Sequence, residues 1–227
     1  VVYTAEIDGI YYNFDSSTRT AEITYRSSIS DENQYAYSGE VDIPGSVKYN
    51  GAWYNVTVIG EQAFASCSGI TNVSIPPSVT SIGYLDFNNC TGLTTLIIPD
   101  GVTSIGMTAF YNCSGLTSVT MSNILTTIGM SAFWGCSSLT SVIIPQTVTS
   151  IGDHAFEGCS SLTSVTVENA TPLSITENTF TNRTNATLHV PAGSRDTYVA
   201  ASYWNEFKHI VEPSPIITFA DANVKAV

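Results

Sequence analysis

The sequence predicts a β-rich α/β solenoid: stacked coils with a parallel sheet along one face and short helical or 3₁₀ turns along the other. An N-terminal hairpin cap and a C-terminal strand–helix–strand cap close the two ends. Three observations carry this. Five cysteines, Cys67, Cys90, Cys113, Cys136 and Cys159, follow one another at an interval of 23 residues. Each interval holds a short run that alternates apolar and polar residues, the signature of a half-buried strand. A unit this short cannot bury its own apolar face, so successive units must stack.

Composition is consistent with stacking. Of 227 residues, 43% are hydrophobic, enough for a core, yet only 11% are charged. Globular chains carry about 25% charged residues, and here Ser and Thr, roughly a quarter of the chain, stand in for them. The net charge of −12 excludes nucleic acid as a partner, because phosphate binding needs clustered Lys and Arg. No cation lies between Lys48 and Arg183. No apolar run approaches the ~20 residues of a membrane span, and the opening VVYTAEIDG is not a signal segment. A mature, processed chain and a cytosolic one both fit that opening.

In chain order, Ile10–Phe14 and Ala21–Tyr25 alternate around Asp15-Ser16-Ser17-Thr18 and predict a hairpin. Residues 1–40 are assigned to this cap, which covers strand edge that an open solenoid end would expose. The segment Val41–Val47 matches Val73–Val79, so the solenoid, 41–167, begins there. The nine extra residues in this first coil contain Tyr49-Asn50-Gly51-Ala52, a type I′ hairpin signal.

The unit then reads I-G-x-x-A-F-x-x-C-x-x-L-T-x-V-x-I-P-x-x-V-T-x. Phe64, Phe87, Phe110, Phe133 and Phe156 keep the period, as do the Ile-Gly pairs from Ile59-Gly60 to Ile151-Gly152. The stretch L-T-x-V-x-I is the strand, and copies one coil apart pair in parallel at ~4.8 Å as a continuous sheet. Pro76, Pro99 and Pro145 end the strands. I-G-x-x-A-F-x-x-C spaces its apolar residues by three and four, which predicts the helical or 3₁₀ turn, with Gly allowing a tight corner.

Residues 168–211 form a degraded repeat and cap. Thr171–Phe180 keeps the Phe but loses the Cys, and Ala186–Pro191 supplies another strand. Ser194 reads as the N-cap of a helix to about Phe207 that aligns Tyr198, Ala201, Trp204 and Phe207. His209-Ile210-Val211 closes as a strand. Residues 212–227 read as a linker and the start of a further module.

The motifs IGMTAFYNCSGLTSV, IGMSAFWGCSSLTSVIIPQTVTS and IGDHAFEGCSSLTSV closely resemble the BspA-type, 23-residue leucine-rich repeats of bacterial surface proteins. The resemblance spans about residues 41–211. It departs at Asp86, which replaces the Ala before Phe and marks a partner or a local loosening, and at Ser122, which replaces the Pro. It implies a secreted or cell-surface protein, a leucine-rich repeat fold, and adhesion or host-protein contact.

Chemistry-bearing residues point away from catalysis. The cysteines lack the paired spacing of a metal site, and identical positions on parallel coils aim their Cβ atoms side by side rather than at each other. A buried ladder of small apolar fillers is the better reading. His154, His189 and His209 lie far apart in the repeat, and Asp153 with Glu157 supplies too few ligands for Ca²⁺. No catalytic residue, cofactor or metal is assigned.

Two surfaces remain as candidates. The outward strand positions are Asn72, Thr95, Ser118, Ser141 and Ser164, with Ile97, Thr120, Ile143 and Thr166 beside them. On the opposite side, stacking aligns Tyr84, Met107 and Met130, with Tyr111 and Trp134 alongside. Such a stripe with polar ends has the character of an interaction patch. The opposing reading folds the aromatic rings back as a shield. The sequence therefore predicts a non-enzymatic binding module for a protein ligand. A glycan binder that stacks sugars on Tyr84, Tyr111 and Trp134, or a structural spacer, is the alternative.

Overall fold

The computed structural model describes residues 4–25 and 37–213. The expected module after residue 215 lies outside the described residues. Strands β1 (Ala5–Ile7), β2 (Ile10–Asp15) and β3 (Thr20–Thr24) form an antiparallel meander. In the turn between β2 and β3, the Asp15 carboxylate accepts the Ser17 N–H at 2.8 Å. Strand β4 (Ser38–Asp42) pairs in parallel with β7 (Gly69–Ser74), and Val41 lies opposite Val73, the register read from the repeated motif.

Between them β5 (Ser46–Tyr49) and β6 (Ala52–Ile59) form the inserted hairpin. Asn50 and Gly51 have φ of 47° and 82°, the left-handed pair that a type I′ turn requires. The two N-terminal hairpins are not separate. β3 pairs in parallel with β6, giving one sheet in the order β1-β2-β3-β6-β5.

Each later coil has three sides. The expected strand side is β7, β9 (Thr95–Ile97), β11 (Ser118–Thr120), β13 (Ser141–Ile144), β15 (Ser164–Val167), β16 (Thr187–His189) and β17 (His209–Val211). β8 (Ser81–Ile82), β10 (Ser104–Ile105), β12 (Thr127–Ile128) and β14 (Ser150–Ile151) form a second parallel ladder that ends on the Ile of each Ile-Gly pair. The sequence reading held only one sheet.

That first sheet is not continuous. It divides between β7 and β9 and between β11 and β13. There the connecting Thr94 N–H to Thr71 O and Thr140 N–H to Thr117 O bonds lengthen to 3.3 and 3.4 Å, against 2.9 Å for Thr117 to Thr94. Three-residue strands have few rungs with which to resist opening.

The third side corrects the predicted helical turn. No helix forms among residues 60–67 or their equivalents; the segment is a chain of tight turns. In the first coil Ala63, Ala65 and Cys67 donate N–H groups to Gly60, Gln62 and Phe64 carbonyls, each three residues back. The residues between them donate to the next coil instead: Gln62 to Tyr84 O, Phe64 to Asp86 O and Ser66 to Asn88 O. A 3₁₀ helix would turn every N–H inward. Left-handed residues break it, at Gln62 and Ser66, Leu85 and Asn89, Thr108 and Asn112, Ser131 and Gly135, His154 and Gly158.

The conserved period of Ile-Gly also has a different cause from the predicted corner. The backbone at Gly129 is not left-handed, but a Cβ there would sit 2.6 Å from the Gly106 carbonyl carbon. Glycine is needed for close coil-to-coil approach.

The core is a spine of parallel rings. Phe64, Phe87, Phe110, Phe133, Phe156 and Phe180 stack with centroids 4.9–5.3 Å apart. Tyr37 adjoins Phe64 at 4.7 Å, and its hydroxyl donates to Thr24 O while accepting the Tyr11 N–H. At the other end Trp204 and Phe207 lie 5.7 and 5.8 Å from Phe180.

The predicted C-terminal helix shortens to α1 (Arg195–Ala200). Ala201 is extended, Tyr203 has φ of 66°, and a 3₁₀ turn covers Trp204–Glu206. In one α-helix, residues six apart point about 120° away from each other. Tyr198 and Trp204 could not then both meet the core, whereas the break brings their rings to 5.4 Å and buries both. Ser194 precedes the helix but does not cap it; its hydroxyl donates to Pro191 O at 2.6 Å.

Candidate functional site

The turn side builds the candidate site. Residues that follow each Ile-Gly fall into one column because their neighbours bond in register: the N–H groups of Gln62, Leu85, Thr108 and Ser131 donate to Tyr84, Met107, Met130 and Asp153 carbonyls. Glu61, Tyr84, Met107, Met130 and Asp153 are therefore successive rungs. Tyr84, Met107 and Met130 are 39, 46 and 49% exposed, unusual for consecutive large apolar side chains.

A second column carries Tyr111 and Trp134, each half-buried. Their rings stack on each other at 4.5 Å and 6°. Each ring covers one face of the other, across the coil boundary.

The stripe ends in charge. Glu61 stands at one end. At the other, His154 Nδ1 bonds the Glu157 carboxylate, and its Nε2 lies 3.2 Å from Asp153. The Glu157 hydrogen bond, then the Asp153 and Glu157 charges, push His154 up from its ordinary value. Thr176 donates its hydroxyl to Asp153. The His154 ring is thus held between two carboxylates while its side chain stays 37% exposed.

On the strand side, Asn72, Thr95, Ser118 and Ser141 are exposed and Ser164 is half-buried. Ile97 is 68% and Ile143 53% exposed, opposite Thr120 and Thr166 across the strand pairs. The two isoleucines belong to different hydrogen-bonded segments of the sheet.

The thiols are free and buried. Their role goes beyond apolar filling. Cys90, Cys113, Cys136 and Cys159 donate to the Phe carbonyl of the preceding coil at 3.1–3.3 Å. Burial pushes Cys113 and Cys159 up to about 12, far from the thiolate range of a nucleophile.

Asp86 resolves into local rewiring. It is fully buried in the slot that holds Ala63, Ala109, Ala132 and Ala155 elsewhere. Its Oδ2 accepts the Gly83 N–H at 2.5 Å, whereas Gly106, Gly129 and Gly152 donate to the preceding Ile carbonyl. Its Oδ1 has no hydrogen-bond partner among the described residues. Burial is the main cause that raises its carboxyl to about 8. No group of three or more His, Cys, Asp or Glu side chains suited to a metal occurs among the described residues.

Comparison with known proteins follows the geometry. The family model for the BspA type leucine rich repeat region matches residues 55–187 in six copies. A leucine-rich repeat protein from T. pallidum aligns over 84% of this chain and 87% of its own, with 26% identity and a TM-score of 0.61. One from Bacteroides capillosus is 30% identical over 73% of this chain and 98% of its own, with a TM-score of 0.44. A leucine rich cell surface protein from Faecalibacterium prausnitzii is 22% identical over 92% of this chain and 72% of its own, with a TM-score of 0.44. The search of curated proteins finds no match. Among the described residues no helix is long and apolar enough to cross a membrane. With the 23-residue period, the Phe spine and the family match over more than half of its length, the chain belongs to the BspA-type leucine-rich repeat family.

Proposed function

We infer that this protein is a binding module of the bacterial surface, secreted or cell-attached, and that it holds a protein ligand on the turn side of its solenoid. The observation that carries this is the column Tyr84, Met107 and Met130, exposed on three successive coils beside the Tyr111–Trp134 stack. Met side chains adapt to irregular partners, and aromatic rings anchor them. The Ile97 and Ile143 positions of the strand side supply a lesser, interrupted surface. Binding rather than catalysis fits the commitments of the polar groups, since four of the five thiols donate to the Phe carbonyl of the preceding coil.

Glycan stacking on Tyr84, Tyr111 and Trp134 is the second reading: the Tyr111–Trp134 stack covers one face of each ring, and Tyr84 is 39% exposed. Adhesion to host extracellular protein is the form of binding that the family resemblance favours. Residues 1–40 and 168–211 serve this role as caps that keep the solenoid ends from pairing with other chains.

The test is a binding screen against purified extracellular-matrix proteins. A double substitution, Met107→Ser with Met130→Ser, and separately Trp134→Ala, should weaken a wild-type interaction at least tenfold. Substitution of Ile97 and Ile143 to Ser should leave it within about twofold. The reverse pattern transfers binding to the strand side, and a panel with no wild-type ligand sinks the adhesion reading.

A further inference from the structure

Two features of the turn-side stripe bear on the kind of partner it fits: the spacing of its rungs and the charge at its ends. The rungs repeat with the coils, whose Phe rings lie 4.9–5.3 Å apart. An α-helix advances about 5.4 Å per turn, so a helix laid along the solenoid axis brings one side chain per turn to each rung. From Glu61 to Asp153 is four such steps. Over that span of about 20 Å the two repeats slip by only about 1 Å. An extended strand repeats on one face about every 6.6–6.8 Å and slips by about 6 Å over the same distance.

Both ends of the stripe are acidic. At the first, Glu61 is exposed, and the Glu22 carboxylate borders the same corner: a Cβ on Gly60 would sit 2.6 Å from its Oε1. Neither makes an ion pair among the described residues. Both lie close enough to Asp86 that, after burial, their charges help to raise its carboxyl. At the second end Asp153 and Glu157 flank His154, whose imidazole offsets one of the two charges when protonated. Between the ends Tyr84, Met107 and Met130 are uncharged, and no Lys or Arg occurs from Tyr49 to Asn182.

We propose that the segment bound by the stripe is a basic, amphipathic α-helix of the partner protein. It lies along the solenoid axis with apolar side chains on Tyr84, Met107 and Met130 and a Lys or Arg near each end, facing Glu61 and Glu157. This rests on the turn side being the protein-binding surface. Charge disfavours the other occupants: a second copy of this chain would set acidic ends against acidic ends, and an acidic helix would meet carboxylates at both. Met side chains adapt to the apolar face of such a helix, and the Tyr111–Trp134 stack stands beside the column. About 13–14 helical residues span the acidic ends.

The test measures, by fluorescence anisotropy on the whole chain, three synthetic peptides of about 16 residues. One has Leu at helical spacing on one face and Lys at both ends. The second carries Glu in place of Lys, and the third reorders the first to alternate apolar and polar residues. The first should bind at least tenfold more tightly than either of the others, and severalfold more weakly at about 300 mM than at about 50 mM NaCl. Neither comparison needs a substitution. Met107→Ser with Met130→Ser should weaken binding at least tenfold, and Glu61→Gln with Glu157→Gln severalfold, with a flatter salt dependence. Circular dichroism should match the wild type, since none of the four is buried. Binding of the basic peptide that survives the Met pair is attraction to the net charge of −12 alone and overturns the proposal. So does equal binding of the acidic or the alternating peptide, or no binding of any. The two readings fail separately. If the Met pair weakens a matrix protein from the screen while the helical peptide does not bind, the helix falls and the stripe stands. If the Met pair changes neither, both fall.

Discussion

At the scale of single residues, the structure gives the hydroxyls a second task. Thr94, Thr117, Thr103, Thr126 and Thr149 donate their side-chain hydroxyl to the carbonyl of the Thr one coil earlier, at 2.9–3.5 Å. These groups stitch coils together as well as wetting the surface. The left-handed turn position before four of the five cysteines is held by Asn89, Asn112, Gly135 and Gly158, residue types that tolerate φ near 60–70°, and by Ser66 before Cys67. Asp86 could be flagged in sequence as a departure, but its consequence needed the fold. Its carboxyl is raised in the folded state, to about 8, above an unfolded value of 3.8. The folded state therefore holds a proton that the unfolded state releases, and stability falls as pH rises from about 4 to about 8. Asp86→Ala should raise Tm, by more at pH 8 than at pH 4.5, in thermal denaturation followed by circular dichroism. An equal gain at both pH values counts against the buried-carboxyl account. Cys136→Ala should cost about 1–2 kcal/mol in urea unfolding, from a small cavity and an unmet Phe110 carbonyl bond.

At the scale of elements, the order of the strands was readable because period-two alternation and the 23-residue interval agree. The β8–β10–β12–β14 ladder was not, since two residues give no alternation to detect. The turn side was misread as helical for a related reason: spacings of three and four serve successive tight turns as well as helices. What separates them is the left-handed residue every fourth position, which leaves alternate N–H groups free to reach the next coil. Gly129→Ala tests the close approach that follows. Its Cβ would collide with Gly106 backbone, so destabilisation should exceed the ~1 kcal/mol that glycine-to-alanine changes usually gain or lose. The C-terminal helix was overextended because its i, i+3 apolar spacing was taken as one face. The end of the Phe spine asks for two more rings instead. Trp204→Ala should cost about 3–5 kcal/mol in chemical denaturation. A loss under ~1 kcal/mol would mean that Trp204 contributes little to closing the spine.

At the scale of the whole molecule, charge and architecture act together. With no Lys or Arg from Tyr49 to Asn182, trypsin acting on the heat-unfolded chain should leave one peptide across residues 49–183. Mass spectrometry showing tryptic cuts inside residues 49–183 would contradict this expectation. The sequence by itself determined the solenoid, its period, the buried thiol ladder, the type I′ hairpin and which residues share a column. A repeat of 23 fixes all but the hairpin, because identical positions must stack once the units bury their apolar faces; the hairpin rests on the Asn50-Gly51 pair. Tertiary structure alone decided that the two N-terminal hairpins share a sheet. It also decided that Tyr111 and Trp134 cover each other, and that the turns reach between coils. Those outcomes depend on contacts between residues whose separation along the chain follows no period, such as Phe14 with Tyr49 or Tyr37 with Phe64, and local pattern carries no record of them.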